Sequence, residues 1–149
     1  MIKEEKLPDG ILEKLKRLPD IVSQESEVMA LFIFGSAVEG ELRPMSDIDL
    51  AILLNSEINR RELFDKELEV RALIAEFLET ESFDLVNMNL APARFAHNIL
   101  AGGKLIYYRD KTQIVDFCED NTRKYLDFKY YRDDYDKTFR ALLTEKYNG

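Results

Sequence analysis

The chain has 149 residues, of which 46% are hydrophobic and 34% charged, a composition typical of one compact globular domain and not of a disordered chain. Lysine and arginine number 21 against 29 acidic residues, and the net charge of −8 disfavours general binding to nucleic acid. One histidine and one cysteine exclude a disulfide framework and a zinc site built from these side chains. Any chemistry is therefore expected to rest on carboxylates, hydroxyls and backbone groups.

The first residues lack the basic start and apolar stretch of a secretory signal. The longest apolar runs, Val28 to Phe34 and Leu50 to Leu54, are too short to cross a bilayer. These features predict a cytoplasmic protein without a membrane partner.

The first third of the chain predicts a helix and two strands. Asp9 is expected to cap the helix and Pro19 to end it. The apolar run from Val28 to Phe34 predicts a strand that is buried on both faces and leads into a tight turn. The second strand is expected from Asp47 to Leu54, with Asp47 and Asp49 on one face.

The rest of the chain predicts alternating helices and strands. Asn59 is expected to cap a helix whose apolar positions recur every three or four residues, and Asp110 to cap a last helix that reaches about Thr144. Between them lie a strand, a short helix closed by two glycines, and another strand. Their expected ranges are Ser82 to Met88, Ala91 to Leu100 and Lys104 to Tyr108.

The last helix is unusually long for so small a chain. At about 1.5 Å per residue it would measure roughly 50 Å, so it must either bend back or protrude. We expect one folded domain at residues 1–110 and a helical extension at 111–149 that packs on the same domain or on a partner. Its tyrosine-rich stripe predicts contact with another chain, either a different protein or a second copy; it comprises Phe128, Tyr131, Tyr135, Phe139 and Leu142.

The most informative motif joins the end of the first strand to the start of the second. Gly35 and Ser36 are followed, after ten intervening residues, by Asp47 and Asp49. Two carboxylates at positions i and i+2 of a strand lie about 6.6–6.8 Å apart on one face, where a hard divalent cation relieves their repulsion. Two such ions can hold a triphosphate for in-line phosphoryl transfer, and the glycine and serine offer close backbone approach, a hydroxyl and an N–H donor.

A third carboxylate is expected on the third strand. Asp84 lies between the apolar residues Phe83 and Leu85, where an unpaired buried charge would be costly. A role at the same metal site would account for it.

With these residues in view, the sequence resembles the minimal nucleotidyltransferases of the DNA polymerase β-like superfamily, in particular the antitoxin members of HEPN/MNT toxin–antitoxin pairs. The resemblance runs from about Val28 to Tyr108. It is strongest over Phe34-Gly35-Ser36 and over Arg43-Pro44-Met45-Ser46-Asp47-Ile48-Asp49-Leu50, and weaker over Phe83-Asp84-Leu85-Val86 and Gly103-Lys104-Leu105-Ile106-Tyr107.

The resemblance implies an α/β fold, with a mixed sheet, flanking helices and a long C-terminal helix. It implies that Asp47, Asp49 and Asp84 are catalytic and bind two Mg²⁺ ions, with Mn²⁺ as an alternative, and that Gly35 and Ser36 hold the nucleoside triphosphate. Arg43 is expected to assist them. The implied activity is transfer of AMP from ATP to a tyrosine hydroxyl of a cognate HEPN ribonuclease toxin.

Two other functions stay open at this point. Many members of the family carry basic residues after the Gly-Ser pair, whereas this chain has Ala37-Val38-Glu39, which weakens electrostatic stabilisation of a triphosphate. This departure favours an antitoxin that neutralises its toxin by binding alone. The third alternative is nucleotidyl transfer to a small molecule.

Overall fold

The computed structural model describes residues 10–35 and 48–148, apart from the side chains at 131, 134–136, 139 and 143–148. The predicted positions Asp9, Ser36, Arg43 and Asp47, together with the stretch from Ala37 to Glu39, lie outside the described residues. Four helices and four strands occur in the described part of the chain: α1 (Ile11–Val22), β1 (Val28–Phe34), β2 (Ile48–Leu54), α2 (Arg60–Leu78), β3 (Phe83–Asn87), α3 (Ala93–Gly102), β4 (Lys104–Tyr108) and α4 (Lys111–Asn148).

The strands form one mixed sheet in the order β3-β2-β1-β4. β1 pairs antiparallel with both β2 and β4, whereas β2 and β3 are parallel. The parallel pair requires a crossover, which α2 provides. The predicted α/β architecture with a mixed sheet, flanking helices and a long last helix is thereby confirmed.

Helices cover both faces of the sheet. Alternate residues of β2 face opposite ways, so that Leu50 packs in the cluster with α1 and α2 while Ala51 packs in the cluster with α3 and the start of α4. β1 is buried along almost its whole length, as the apolar run predicted. The two central strands therefore form the buried centre of the molecule.

The prediction that Pro19 ends the first helix is wrong. α1 continues through Pro19 to Val22, although proline removes one helical hydrogen bond. Leu18 and Val22, on either side of the proline, are fully buried, and their burial outweighs the lost bond. The helix begins after Gly10, which has a positive φ of 77°.

The other predicted elements are confirmed with small shifts at their ends. Asn59 caps α2 by accepting a hydrogen bond from the N–H of Arg61 at 3.2 Å, and Asp110 accepts one from the N–H of Gln113 at 3.3 Å at the start of α4. Gly103 ends α3.

Only the first part of α4 packs on the rest of the molecule. Ile114 and Phe117 contact the core, the buried Asn121 donates a hydrogen bond to the carbonyl of Ala93 at 3.0 Å, and Tyr125 stacks on His97 with ring centroids 4.1 Å apart. Every described side chain from 126 to 142 is exposed. The helix therefore protrudes instead of bending back.

The predicted partner stripe lies on this protruding part. Phe128 and Leu142 are exposed, while the side chains of Tyr131, Tyr135 and Phe139 lie outside the description. No helix among the described residues combines the length and the apolar character needed to span a bilayer.

The side chain of Asn89 binds the main chain of Leu54, the last residue of β2. Its amide side chain accepts a hydrogen bond from the N–H of Leu54 at 2.8 Å and donates one to the carbonyl of the same residue at 3.0 Å. It thus takes the place of one more paired strand residue beside β2.

We expect Asn89→Ala to lower the free energy of unfolding by about 1–3 kcal/mol, because both main-chain groups of the buried Leu54 would lose their partner. Urea titration measures the change. Asn98→Ala, on the exposed surface of α3, is the matched control and should stay within about 0.5 kcal/mol of the parent. Equal effects of the two substitutions would contradict the role assigned to Asn89.

Cys118 reports on the docking of α4. Its thiol is half-buried, and burial raises the pKa of Cys118 because it disfavours the thiolate. Since the thiolate is the reactive form, alkylation of the folded chain at pH 8 should be slower than alkylation of the chain in denaturant, and the two rates should converge as the pH rises. Equal rates at pH 8 would show that this part of α4 is not docked.

Candidate nucleotidyl-transfer site

The parallel pairing of β2 with β3 brings two of the predicted site residues together. Asp49 lies directly opposite Asp84 in the register, and adjacent strands lie about 4.7–4.9 Å apart. Paired residues point to the same face of a sheet, so both carboxylates lie on the face that α3 covers further along. A donor set of neighbouring carboxylate oxygens is the kind that Mg²⁺ prefers.

Asp84 is exposed, whereas its apolar neighbours in the sequence predicted a buried charge. A carboxylate in contact with water carries no burial cost, so the expected penalty for an unpaired charge does not apply. The position of Asp84 opposite Asp49 is the stronger reason to include it in the site.

Gly35 fits closely against Asp49. It follows the last residue of β1, Phe34, which pairs with Asp49 across the antiparallel register. Gly35 has a positive φ of 72°, and a Cβ atom on it would clash with Oδ2 of Asp49 and lie 3.3 Å from its Cγ. Glycine therefore suits the backbone turn, and any larger residue would require the Asp49 carboxylate to shift.

Two phenylalanines that are not among the predicted site residues lie on the same side of the sheet as this carboxylate, one of them opposite Asp49 in the register. Phe34 and Phe95 of α3 make an edge-to-face contact with centroids 6.3 Å apart, and the ring of Phe95 is 43% exposed. Because both residues are apolar, the sequence indicates core positions for them. Only the strand register reveals that Phe34 adjoins Asp49.

The site is incomplete in the described part of the chain. Within residues 10–35 and 48–148, no group of three or more histidine, cysteine, aspartate or glutamate side chains is arranged to hold a metal ion. Asp47, the third predicted ligand, and the predicted nucleotide-binding residues Ser36 and Arg43 lie outside these ranges. Asp49, Asp84 and Gly35 are the predicted site residues that the structure brings together.

Comparison with known proteins identifies the family of the chain. Residues 16–112 match the family model described as Polymerase beta, Nucleotidyltransferase. Because the match covers more than half of the chain, the protein belongs to this nucleotidyltransferase family.

Among curated proteins, the chain is 29% identical over 72 residues to the spectinomycin 9-adenylyltransferase of Staphylococcus aureus. The matched region covers 46% of this chain and 27% of that enzyme, so the chain spans about a quarter of the length of this relative.

Three solved structures share the fold over most of both chains. A toxin–antitoxin crystal structure with AMP-PNP has a TM-score of 0.63 and 18% identity, and covers 85% of this chain and 98% of the other. A complex of tri-AMPylated HEPN toxin with MNT antitoxin from Shewanella oneidensis has a TM-score of 0.58 and 17% identity, with 87% and 97% covered. Another Shewanella oneidensis crystal structure has a TM-score of 0.59 and 19% identity, with 89% and 99% covered.

The contact between Gly35 and Asp49 generates a test with an internal control. Both Gly35→Ala and Gly10→Ala place alanine at a positive φ, which costs about 1–2 kcal/mol, but a Cβ on Gly10 meets nothing within 4 Å. We expect Gly35→Ala to destabilise the chain more than Gly10→Ala, as measured by urea unfolding.

Removal of the Asp49 carboxylate should abolish the difference in destabilisation between Gly35→Ala and Gly10→Ala. In a double-mutant cycle, Gly35→Ala introduced into the Asp49→Ala variant should cost no more than Gly10→Ala, because the clashing group is gone. If the extra cost of Gly35→Ala persists without the Asp49 carboxylate, it has another origin.

Proposed function

We propose that this protein is a Mg²⁺-dependent nucleotidyltransferase that moves AMP from ATP to a tyrosine hydroxyl of a HEPN-type toxin and thereby acts as its antitoxin. The observation that carries the proposal is the in-register pairing of Asp49 with Asp84 beside Gly35 in a member of the nucleotidyltransferase family. The proposed reaction consumes ATP, and the chain has a single cysteine; both features are in keeping with action in the cytoplasm.

Asp47, Asp49 and Asp84 are proposed to hold two Mg²⁺ ions, or Mn²⁺ in their place. When bound, the ions supply positive charge that stabilises the transferring phosphoryl group. Gly35 lets the backbone approach the triphosphate closely, the hydroxyl and N–H of Ser36 steady its leaving end, and Arg43 adds a positive charge. Phe34 and Phe95 keep one side of the site apolar.

The transfer forms one bond and breaks one. The acceptor hydroxyl oxygen bonds to the α-phosphorus of ATP, and the bond from that phosphorus to the oxygen bridging the α- and β-phosphates breaks, so that pyrophosphate leaves. Asp84 is proposed to orient the hydroxyl and to take its proton. Its exposure gives an acceptor access from solvent.

The choice of acceptor rests on fold similarity. The solved structures with the same fold include a toxin–antitoxin pair with AMP-PNP and an antitoxin in complex with an AMPylated toxin. The protruding half of α4, in the proposed extension 111–149, adds an exposed apolar surface for a partner chain or a second copy. The similarity to spectinomycin 9-adenylyltransferase favours a second candidate, transfer of AMP to a hydroxyl of a small molecule.

We expect Asp84→Asn to reduce transfer of label from [α-³²P]ATP to the acceptor by about a hundredfold or more, because a neutral amide neither neutralises a metal ion nor accepts the proton. The matched control is Asp116→Asn, an exposed carboxylate on α4 near the opposite end of β2. It should leave the rate unchanged, and both variants should keep the parent's unfolding midpoint.

The same assays distinguish AMP transfer to a toxin from neutralisation by binding alone and from transfer to a small molecule. Full transfer by Asp84→Asn would remove Asp84 from the mechanism. If Asp84→Asn loses transfer but still neutralises a co-expressed HEPN toxin, neutralisation occurs by binding alone. Label on spectinomycin, with none on a protein acceptor, would favour the small-molecule function.

A further inference from the structure

β3 is an edge strand of the described sheet, and two hydrogen bonds define how its main chain is oriented. The N–H of Ile48 donates to the carbonyl of Ser82 at 3.4 Å, and the N–H of Met88 donates to the carbonyl of Ile52 at 2.9 Å. Because the N–H and C=O of one strand residue point to the same side and the sides alternate along the strand, the even-numbered residues from 82 to 88 direct their main-chain groups toward β2.

The odd-numbered residues consequently direct their main-chain groups away from the sheet. The carbonyl of Leu85 provides direct evidence, since it accepts a hydrogen bond at 3.1 Å from the guanidinium of Arg71, which lies on α2 outside the sheet. The N–H groups of Leu85 and Asn87 point the same way. Other outward groups of the strand have partners of their own, since the N–H of Phe83 donates to the carbonyl of Glu81 at 2.8 Å and the carbonyl of Asn87 accepts from the N–H of Leu90 at 3.1 Å. The N–H donors of Leu85 and Asn87 are therefore the groups with which one more strand can pair.

A groove runs beside this edge. Its volume is about 450 Å³, and it is lined by Leu68, Arg71, Ala72, Ala75, Glu81 and Phe83. The two alanines leave space between helix and strand. Phe64 and Leu68, one turn apart on α2, are 56% and 45% exposed, so the helix presents an apolar stripe along the groove.

We propose that the acceptor binds here as an extended polypeptide segment that adds to the outer edge of β3 and places its hydroxyl side chain beside Asp84. The proposal rests on the proposed function, because it makes Asp84 the residue that receives the acceptor. The outward N–H groups of Leu85 and Asn87 lie two residues apart on β3, a spacing of about 6.6–6.8 Å. An extended peptide repeats its own groups at this spacing, whereas a small molecule does not.

The alternation of side chains then defines the acceptor sequence. A residue opposite Asp84 on the added strand has its side chain on the face of Asp84 and Asp49, with Cβ atoms about 4.5–5.5 Å apart across the new pair. The residues before and after it point to the other face, where the groove and the side chain of Leu68 lie. The favoured segment is therefore apolar, hydroxyl-bearing, apolar.

The first test uses a blocked nonapeptide, acetyl-Gln-Lys-Gln-Val-Tyr-Val-Gln-Lys-Gln-amide, whose only hydroxyl is on the central tyrosine. Hydrogen exchange of the full-length chain is followed by NMR with and without the peptide. We expect the amides of Leu85 and Asn87 to exchange at least tenfold more slowly with peptide, and those of Asp84 and Val86, which already pair with β2, to be unchanged. No slowing at Leu85 would overturn the proposal.

A second test fills the groove. Ala72→Trp occupies the space between α2 and β3 from an exposed helix position, and Glu76→Trp places the same bulk on an exposed position outside the groove lining. We expect Ala72→Trp to lower kcat/KM for AMP transfer to the nonapeptide at least tenfold and to leave transfer to tyrosine amide unchanged. Glu76→Trp should change neither, and equal behaviour of the two variants would overturn the proposal.

The two tests distinguish failure of this proposal from failure of the proposed function. Labelled tyrosine amide without protection of Leu85 by the peptide would leave nucleotidyl transfer intact and refute the docking edge. Protection of Leu85 and Asn87 without label on any acceptor would support the docking edge and refute the transfer reaction.

Discussion

The parallel pairing of β2 with β3 is the constraint on which the candidate site depends. Asp49 and Asp84 are 35 residues apart in the sequence, and they become neighbours only because the two strands align in this register. A shift by one residue would send one of the carboxylates to the opposite face. The apolar residues on either side of the two aspartates hold the register, since Leu50 and Leu85 pair with each other and are both buried in the cluster beneath α1 and α2.

The same pairing explains why a small sheet can carry charged chemistry at its margin. The central strands are buried between two layers of helices, while Asp84, the second residue of β3, is exposed to solvent. Gly35 completes the arrangement from β1, because any side chain there would compete with the Asp49 carboxylate for space. Dense packing along the strands and an exposed carboxylate are thus features of one sheet.

Much of the fold could be predicted from residue patterns. The run from Val28 to Phe34 predicted a strand buried on both faces, and the helix caps at Asn59 and Asp110 act as expected. Pro19 was misjudged because burial of Leu18 and Val22 depends on tertiary packing, which outweighs local helix propensity. The register of two parallel strands could not be predicted either, since no turn links them and α2 sets their alignment.

The candidate site was predictable in its chemistry but not in its surroundings. The spacing of Gly35, Asp47 and Asp49 indicated the kind of site, whereas the exposure of Asp84 and the contact of Phe34 with Phe95 follow from the way separate elements meet. Asp84 also lies on the edge strand. This placement allows the same strand to contribute a carboxylate through a side chain and a docking edge through its main chain.

The protruding half of α4 has a thermodynamic consequence. Its described side chains from 126 to 142 are exposed, so this segment receives little stabilisation from the core, although most of the stability of helices in proteins comes from tertiary packing and not from helix propensity. Its helix–coil equilibrium is therefore coupled to whatever surface it contacts. A binding partner that covers it must supply the free energy of ordering the segment, and affinity for that partner will fall with any substitution that weakens the helix itself, even at positions that the partner never touches.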